Sequence, residues 1–218
     1  MKSFIAPIKY RLRGLLDGRR PSRSRMDYAT HLPILVGLSQ SLKVKRVLEL
    51  GSGMYSTLTF LDSNLFPELT KLDTFDTDAF WAIQVQEWTK GDPRITLRLT
   101  QDPMCKVVQE IDLSEYDLVF IDDSTTIEER AATIKRIAES RSARLAVIHD
   151  FEIPEYRRSC SMFRNKYEVR GLNPSTGVAW NSGIRKEQLT RVNSIICRNS
   201  SMVDLSDVKT WAALLRVA

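Results

Sequence analysis

Sulfur and imidazole are both scarce in this sequence, and each shortage removes a class of chemistry. The three cysteines, Cys105, Cys160 and Cys197, are odd in number and far apart, so they make neither a disulfide framework nor a zinc cage. That usage fits a reducing cytosol. Two histidines, His31 and His149, exclude an HExxH centre and, on this reading, any multi-histidine metal site. If a metal binds, carboxylates are expected to dominate its shell, and no residue is assigned as a metal ligand. No apolar run approaches the roughly 18–20 residues that a membrane span needs. What remains is ordinary for one globular domain: 218 residues, 43% apolar and 27% charged, which excludes disordered, collagen-like and coiled-coil classes.

The net charge of +5 is unevenly spread. Residues 1–25 hold eight Lys or Arg against Asp17 alone, so this arm carries +7 and the remaining 193 residues sum to −2. A basic total therefore describes an arm and not a basic body, and a nucleic-acid footprint on the fold is disfavoured. Within the arm, Phe4, Ile5, Ile8, Leu12, Leu15 and Leu16 share one apolar arc at helical spacing, flanked by Lys2, Lys9 and Arg13. Such a helix packs on the body or on a second copy of the chain. The alternatives are a peripheral anchor on an anionic membrane, with the protein otherwise cytoplasmic, or a transit peptide. Gly18–Arg25 reads as a linker, so the division is an arm over 1–25 and a single domain over 26–218.

Beyond the linker, helix and strand signals alternate. Thr30 is placed to cap a helix with Pro33 in its first turn. Strands are expected at Val44–Leu50, Leu69–Phe75, Ile95–Leu99, Tyr116–Ile121 and Arg144–Ile148. Helices are expected at Ser56–Leu61, Ala79–Lys90 and Thr126–Ser140. The chain then changes rhythm: Tyr167–Leu172 and Gly177–Trp180 flank the turn cluster Asn173–Thr176, and helices close the sequence near Lys186–Cys197 and Asp207–Val217. The pattern implies an α/β fold, a doubly wound and mostly parallel seven-stranded sheet ending in an antiparallel hairpin, with helices on both faces. Trp81, Trp88 and Trp211 read as core, whereas Tyr55 and Trp180 fit either core or pocket.

In such a sheet, ligands bind at the carboxyl ends of the strands, where the strand order reverses. The first of those ends reads Glu49-Leu50-Gly51-Ser52-Gly53, followed by a helix whose N-terminus faces the same place. The third glycine of a dinucleotide fingerprint is missing, because Ser56 stands there. A carboxylate two residues before the first glycine is a poor neighbour for a pyrophosphate and a good one for an ammonium. Glu49 thus points to a ligand with a cationic amino-acid end.

The run Glu49–Gly53 resembles the first motif of class I S-adenosylmethionine-dependent methyltransferases. That resemblance extends in order over residues 45–182. It implies S-adenosylmethionine as cofactor, with Glu49, Gly51, Ser52, Gly53 and Ser56 around its methionine part. Asp76, with Thr77 beside it, would grip the ribose hydroxyls; Asp78 competes, with helix capping as its simpler role. Asp102 falls where the adenine amino group is met, and Asp122 falls beside the methyl-transfer centre. The phrases Gly-Ser-Gly-x-Tyr-Ser-Thr, Phe-Ile-Asp-Asp and Ile-His-Asp are most similar to small-molecule and sugar O-methyltransferases of the macrocin type. Where that pattern has Asp-Gly-Asp, this chain has Asp122-Asp123-Ser124.

Neighbouring parallel strands bring Asp122 and Asp123 close to His149 and Asp150. An O-methyl transfer needs a base, or a cation that lowers the acceptor's pKa. His149 is the expected base, oriented by Asp122 or Asp150; the alternative is Mg²⁺ held by Asp122 and Asp150. The simpler reading makes His149 and Asp150 structural caps, and makes His31 structural or a pocket wall. The expected partner is a small-molecule acceptor. The competing readings are an RNA or protein methyltransferase reaching its substrate through the arm, and a cofactor-binding module without catalysis.

Overall fold

The central strand-forming runs are short and apolar at successive positions, so each needs cover on both sides. A computed structural model describes residues 27–124 and 126–216, and it meets that demand with one seven-stranded sheet between two helical layers. The arm over 1–25 and the roles expected of it lie outside the described residues. The strands are β1 (Arg46–Leu50), β2 (Lys71–Asp76), β3 (Ile95–Leu99), β4 (Leu118–Ile121), β5 (Leu145–Ile148), β6 (Asn165–Val169) and β7 (Thr176–Trp180). Their order in the sheet is β3-β2-β1-β4-β5-β7-β6, parallel through β5 and antiparallel at β7 and β6. The order reverses between β1 and β4, which are hydrogen-bonded neighbours. The expected topology is the observed one.

Helices α1 (Leu32–Ser41), α2 (Ser56–Leu61), α7 (Lys186–Asn199) and α8 (Val208–Arg216) supply one layer. Val47, Leu118, Phe120, Leu145 and Val147 face it and join their apolar residues in one core. The intervening residues Leu48, Leu50, Val119, Ile121, Ala146 and Ile148 face the second core, with Ile134 and Ile137 of α5 (Ile127–Ser140) and Tyr156 of α6 (Pro154–Ser159). Strand alternation thus divides the sheet's side chains between two layers. Helix α3 (Ala79–Trp88) follows β2, and the short α4 (Met104–Val107) follows β3.

Three local expectations are corrected. Thr30 does not cap α1: His31 is the N-cap residue and makes no side-chain cap bond, while the Thr30 hydroxyl is 2.9 Å from His149 Nε2. Of the three tryptophans read as core, only Trp211 is fully buried. Trp81 and Trp88 are half-exposed and meet edge to face at 5.6 Å. Helical spacing marks them as a stripe, but Trp81 lines a cleft and Trp88 packs against it. Trp180, left open between two roles, is core.

Gly51 fixes how closely β1 and β4 approach beyond their paired residues. Its φ is +87°, and a Cβ there would lie 2.1 Å from the Asp122 carbonyl oxygen. The Asp122 amide donates to Leu50 O at 2.8 Å, so the backbone cannot move aside without losing a ladder bond. Gly51→Ala should therefore lower unfolding free energy by about 1–3 kcal/mol, the usual cost of forced overpacking. Urea unfolding of both chains checks this, with an unchanged midpoint as the contrary result.

Candidate functional site

The carboxyl ends of β1, β2 and β4 open onto a cleft of about 890 Å³. One wall is the turn after β1: Gly51, Ser52, Gly53, Met54, Tyr55 and Ser56. Another is the end of β2 and the start of α3, with Asp76, Thr77, Asp78, Phe80 and Trp81. Asp122, Asp123 and Ser124 close it beyond β4, Glu129 and Arg130 reach in from α5, and Tyr28 and His31 come from ahead of α1. A smaller cavity of about 350 Å³, around Ser39–Val44 and Arg216, lies near the start of β1, at the sheet's other end.

The turn after β1 is tied to β2 through one carboxylate. Asp76 accepts from the Ser52 amide at 2.9 Å and from the Ser52 hydroxyl, and its other oxygen accepts from the Asp78 amide at 2.8 Å. Asp78 caps α3, accepting from Phe80 and Trp81 amides at 2.9 and 3.1 Å. The simpler role of Asp78 is thus the observed one, which leaves Asp76 as the carboxylate at the strand end. Trp81 Nε1 donates to the Ser52 carbonyl and pins the turn from the opposite side.

Glu49 lies beneath the cleft instead of lining it. It is fully buried, and Oε2 accepts from Thr57 and Thr74 hydroxyls, both at 2.8 Å. Burial pushes its pKa up to about 7, against the lowering pull of the Ser56, Thr57 and Thr74 hydroxyls. Asp102 is exposed and is not among the residues lining the cleft. Of the cofactor-binding residues expected from sequence, the cleft gathers Gly51, Ser52, Gly53, Ser56, Asp76, Thr77 and Asp122, and not Glu49 or Asp102.

Past β4 and β5 the chain carries the acid–base cluster. Asp122 lines the cleft; one oxygen is 2.8 Å from Arg130 and the other 3.3 Å from His149 Nδ1. Burial alone would raise the Asp122 pKa, but the His149 hydrogen bond and the charges of His149 and Arg130 outweigh it and bring it to about 2. Asp123 is held by Thr133 at 2.7 Å, and burial pushes it up to about 6. Asp150, at φ +55°, places one oxygen 2.8 Å from Arg130 and the other 3.6 Å from His149 Nδ1.

His149 itself is only 4% exposed and does not line the cleft. Its nitrogens face Thr30 on one side and the two aspartates on the other. The direct-base role expected of it would require the ring to leave both sets of partners. The histidine that lines the cleft is His31, at 2% exposure, with its ring centroid 5.0 Å from that of His149 and 4.9 Å from that of Phe120. Among the described residues neither ring nitrogen of His31 has a hydrogen-bond partner, and burial pushes its pKa down to about 3.

Arg130 was given no role by the sequence reading. It is 6% exposed, donates to the Ser124 carbonyl at 2.6 Å, and joins Asp122 to Asp150. The place between those carboxylates, where Mg²⁺ was the expected alternative, is thus taken by a guanidinium. The signal was present: position 130 falls on the apolar stripe of Ile134, Ile137 and Ala138, where an arginine is out of place unless paired.

No family model matches the sequence, and no curated protein matches it. Solved structures do share the fold. A spermidine synthase in complex with the transition-state analogue AdoDATO is 14% identical, with a TM-score of 0.57 over 74% of this chain and 64% of that one. A probable spermidine synthase from Corynebacterium glutamicum is 12% identical, with a TM-score of 0.57 over 83% of this chain and 77% of that one. An O-methyltransferase family protein from Burkholderia thailandensis is 11% identical, with a TM-score of 0.50 over 71% and 56%. The first of these matches thus spans under two thirds of its partner's length. At such identities the likeness is one of fold alone: a seven-stranded sheet, mostly parallel, with helices on both faces. No helix among the described residues is long and apolar enough to cross a membrane.

The burial of Glu49 has a pH signature. Its folded pKa of about 7 lies above the ordinary 4.5, so between these values the folded chain holds a proton that the unfolded chain has lost. Stability from this group is then lost as pH rises through that window. Between pH 4.5 and pH 8, wild type should lose more unfolding free energy than Glu49→Gln does, by on the order of 3 kcal/mol. Parallel stability–pH curves for the two proteins would contradict it.

Proposed function

We propose that this chain is an S-adenosylmethionine-dependent methyltransferase, acting on a hydroxyl of a small molecule such as a sugar. The observation that carries the reading is the close approach at Gly51, with Asp76 one strand away, at the point where the strand order reverses. A cleft of this size accommodates a nucleoside, its amino-acid tail and part of an acceptor.

Each residue has a part in that scheme. Asp76 spends three acceptor positions on Ser52 and Asp78, and a carboxylate has about four. The remaining one suits a ribose hydroxyl. The open turn at Gly51–Gly53 lets backbone groups reach the amino-acid end of the donor, and the buried Glu49 beneath it supplies negative potential when ionised. Tyr28, Met54 and Phe80 are exposed apolar side chains on the rim, where an acceptor's body would rest.

The acceptor's proton has to leave as its oxygen meets the methyl carbon. Asp122 is the carboxylate facing that step, with His149 and Asp150 behind it as positioning residues. The run Asp122-Asp123-Ser124 after β4, without an asparagine-proline-proline-aromatic motif, favours oxygen over an amino nitrogen as the acceptor.

Calorimetry with S-adenosylmethionine and with S-adenosylhomocysteine tests the reading. Both should bind one to one. Asp76→Asn should weaken each by about tenfold, as expected when a charge-assisted hydrogen bond worth about 1.5–3 kcal/mol is lost. A folded wild-type protein that binds neither compound would remove the transferase proposal.

A further inference from the structure

His31, His149 and Asp122 come from three separate parts of the chain, yet one ligand atom from each lies within 4.8 Å of the other two. His31 is contributed from ahead of α1, Asp122 from the end of β4, and His149 from the end of β5. We propose that these three residues bind a divalent late first-row transition metal, such as Zn²⁺ or Co²⁺, in the wall of the cleft. The site stands on these side chains whichever organic ligand the cleft takes.

The donor set selects the metal class. Two imidazoles and one carboxylate suit Zn²⁺, Co²⁺, Ni²⁺ or Fe²⁺, whereas Mg²⁺ and Ca²⁺ prefer shells of oxygen. Metal–ligand bonds of about 2.0–2.2 Å in a tetrahedral shell place neighbouring donors about 3.4 Å apart, so closure needs a shift under about 1 Å at each side chain. Three protein ligands leave a further position free, as in metal sites that bind a water or substrate. Because His31 and Asp122 line the cleft, that position opens toward it.

Independent features surround the three donors as a metal site requires. His31 is buried, and among the described residues both its ring nitrogens are unpartnered, which costs free energy unless something accepts their lone pair or proton. His149 Nε2 lies 2.9 Å from the Thr30 hydroxyl, which can accept the Nε2 proton when a metal takes the place of the proton that Nδ1 shares with Asp122. Arg130 holds the other oxygen of Asp122 at 2.8 Å. Outer partners of this kind fix the tautomer and orientation of metal ligands.

The test uses the full chain, stripped with a chelator and titrated with Co²⁺ and then Zn²⁺. Visible absorption reports the Co²⁺ geometry and elemental analysis reports stoichiometry. One equivalent should bind, Zn²⁺ should displace Co²⁺, and a large excess of Mg²⁺ should not. His31→Gln and Asp122→Asn, which keep size and polarity, should each weaken Co²⁺ binding by more than about 100-fold, and Thr30→Val by about 10–100-fold. Circular dichroism establishes that each variant is folded. Failure of folded wild type to bind either ion, or binding that survives both ligand substitutions, overturns the site; displacement by Mg²⁺ overturns its metal class. None of these readouts depends on a methyl donor, so this proposal and the transferase reading fail separately.

Discussion

Arg130 reaches from α5 across the ends of two strands, to Asp122 and Asp150 at 2.8 Å each and to the Ser124 carbonyl at 2.6 Å. Its guanidinium also lies over the Tyr156 ring, 5.6 Å from the centroid. Three carboxylates within a few ångströms would repel one another strongly in a buried wall. A planar cation with five donors in a fixed fork answers two of them at once and still reaches the Ser124 carbonyl. Removing one partner from such a buried pair typically costs about 3–5 kcal/mol, because the other charge is left stranded. The cleft wall beyond β4 and β5 therefore depends on one residue that belongs to neither strand.

Burial and His149, more than this cation, set the two neighbouring aspartates apart in charge state. Asp122 sits against Arg130 and His149 and is held ionised to about pH 2, while Asp123 is 3.9 Å from Arg130, bonded to Thr133, and pushed up to about 6. Two adjacent residues of one sequence pair thus differ in acidity because they face opposite layers. Asp122 continues the alternation of Leu118 and Phe120 toward α1, and His149 continues that of Leu145 and Val147 to the same side. The ladder bonds of Asp122 to Leu50 and of His149 to Ile121 keep that alternation in force beyond the strands.

This explains how much of the site was legible in the sequence. Gly51, Asp76, Asp122, His149 and Asp150 all end strands, and parallel neighbours must bring strand ends to one edge. Position in the pattern was enough to place them at that edge. Orientation was harder. Glu49 alternates into the layer that holds Thr57, so it lies beneath the turn and not beside it. Asp102 follows the edge strand β3 and stays outside the cleft. Trp81 looked like core because helical spacing marks a stripe without naming what the stripe faces. Arg130 was missed because helices are read for apolar periodicity, and a paired cation on the apolar side looks like a defect in it.

Thr30 and His31 could not be placed by any such rule, since they precede the first strand and meet the sheet only through tertiary packing. A parallel sheet supplies its carboxyl edge with strand ends and the loops that leave them. Those loops built the floor, the β2 side and the acidic wall of this cleft, and the α1 side had no strand end left to close it. The chain closes it by running residues 28–31 past Phe120 before α1 begins, and Pro33 in the first turn lets the helix start there without an unsatisfied amide at that position. One consequence is that both histidines meet. The ring of His149 is pressed between the layer of α1 and the acids of the strand ends, and the ring of His31 is set edge to face against it at 5.0 Å. The two histidines stand 118 residues apart in the sequence, and the doubly wound sheet returns the chain to the same edge, where their rings meet.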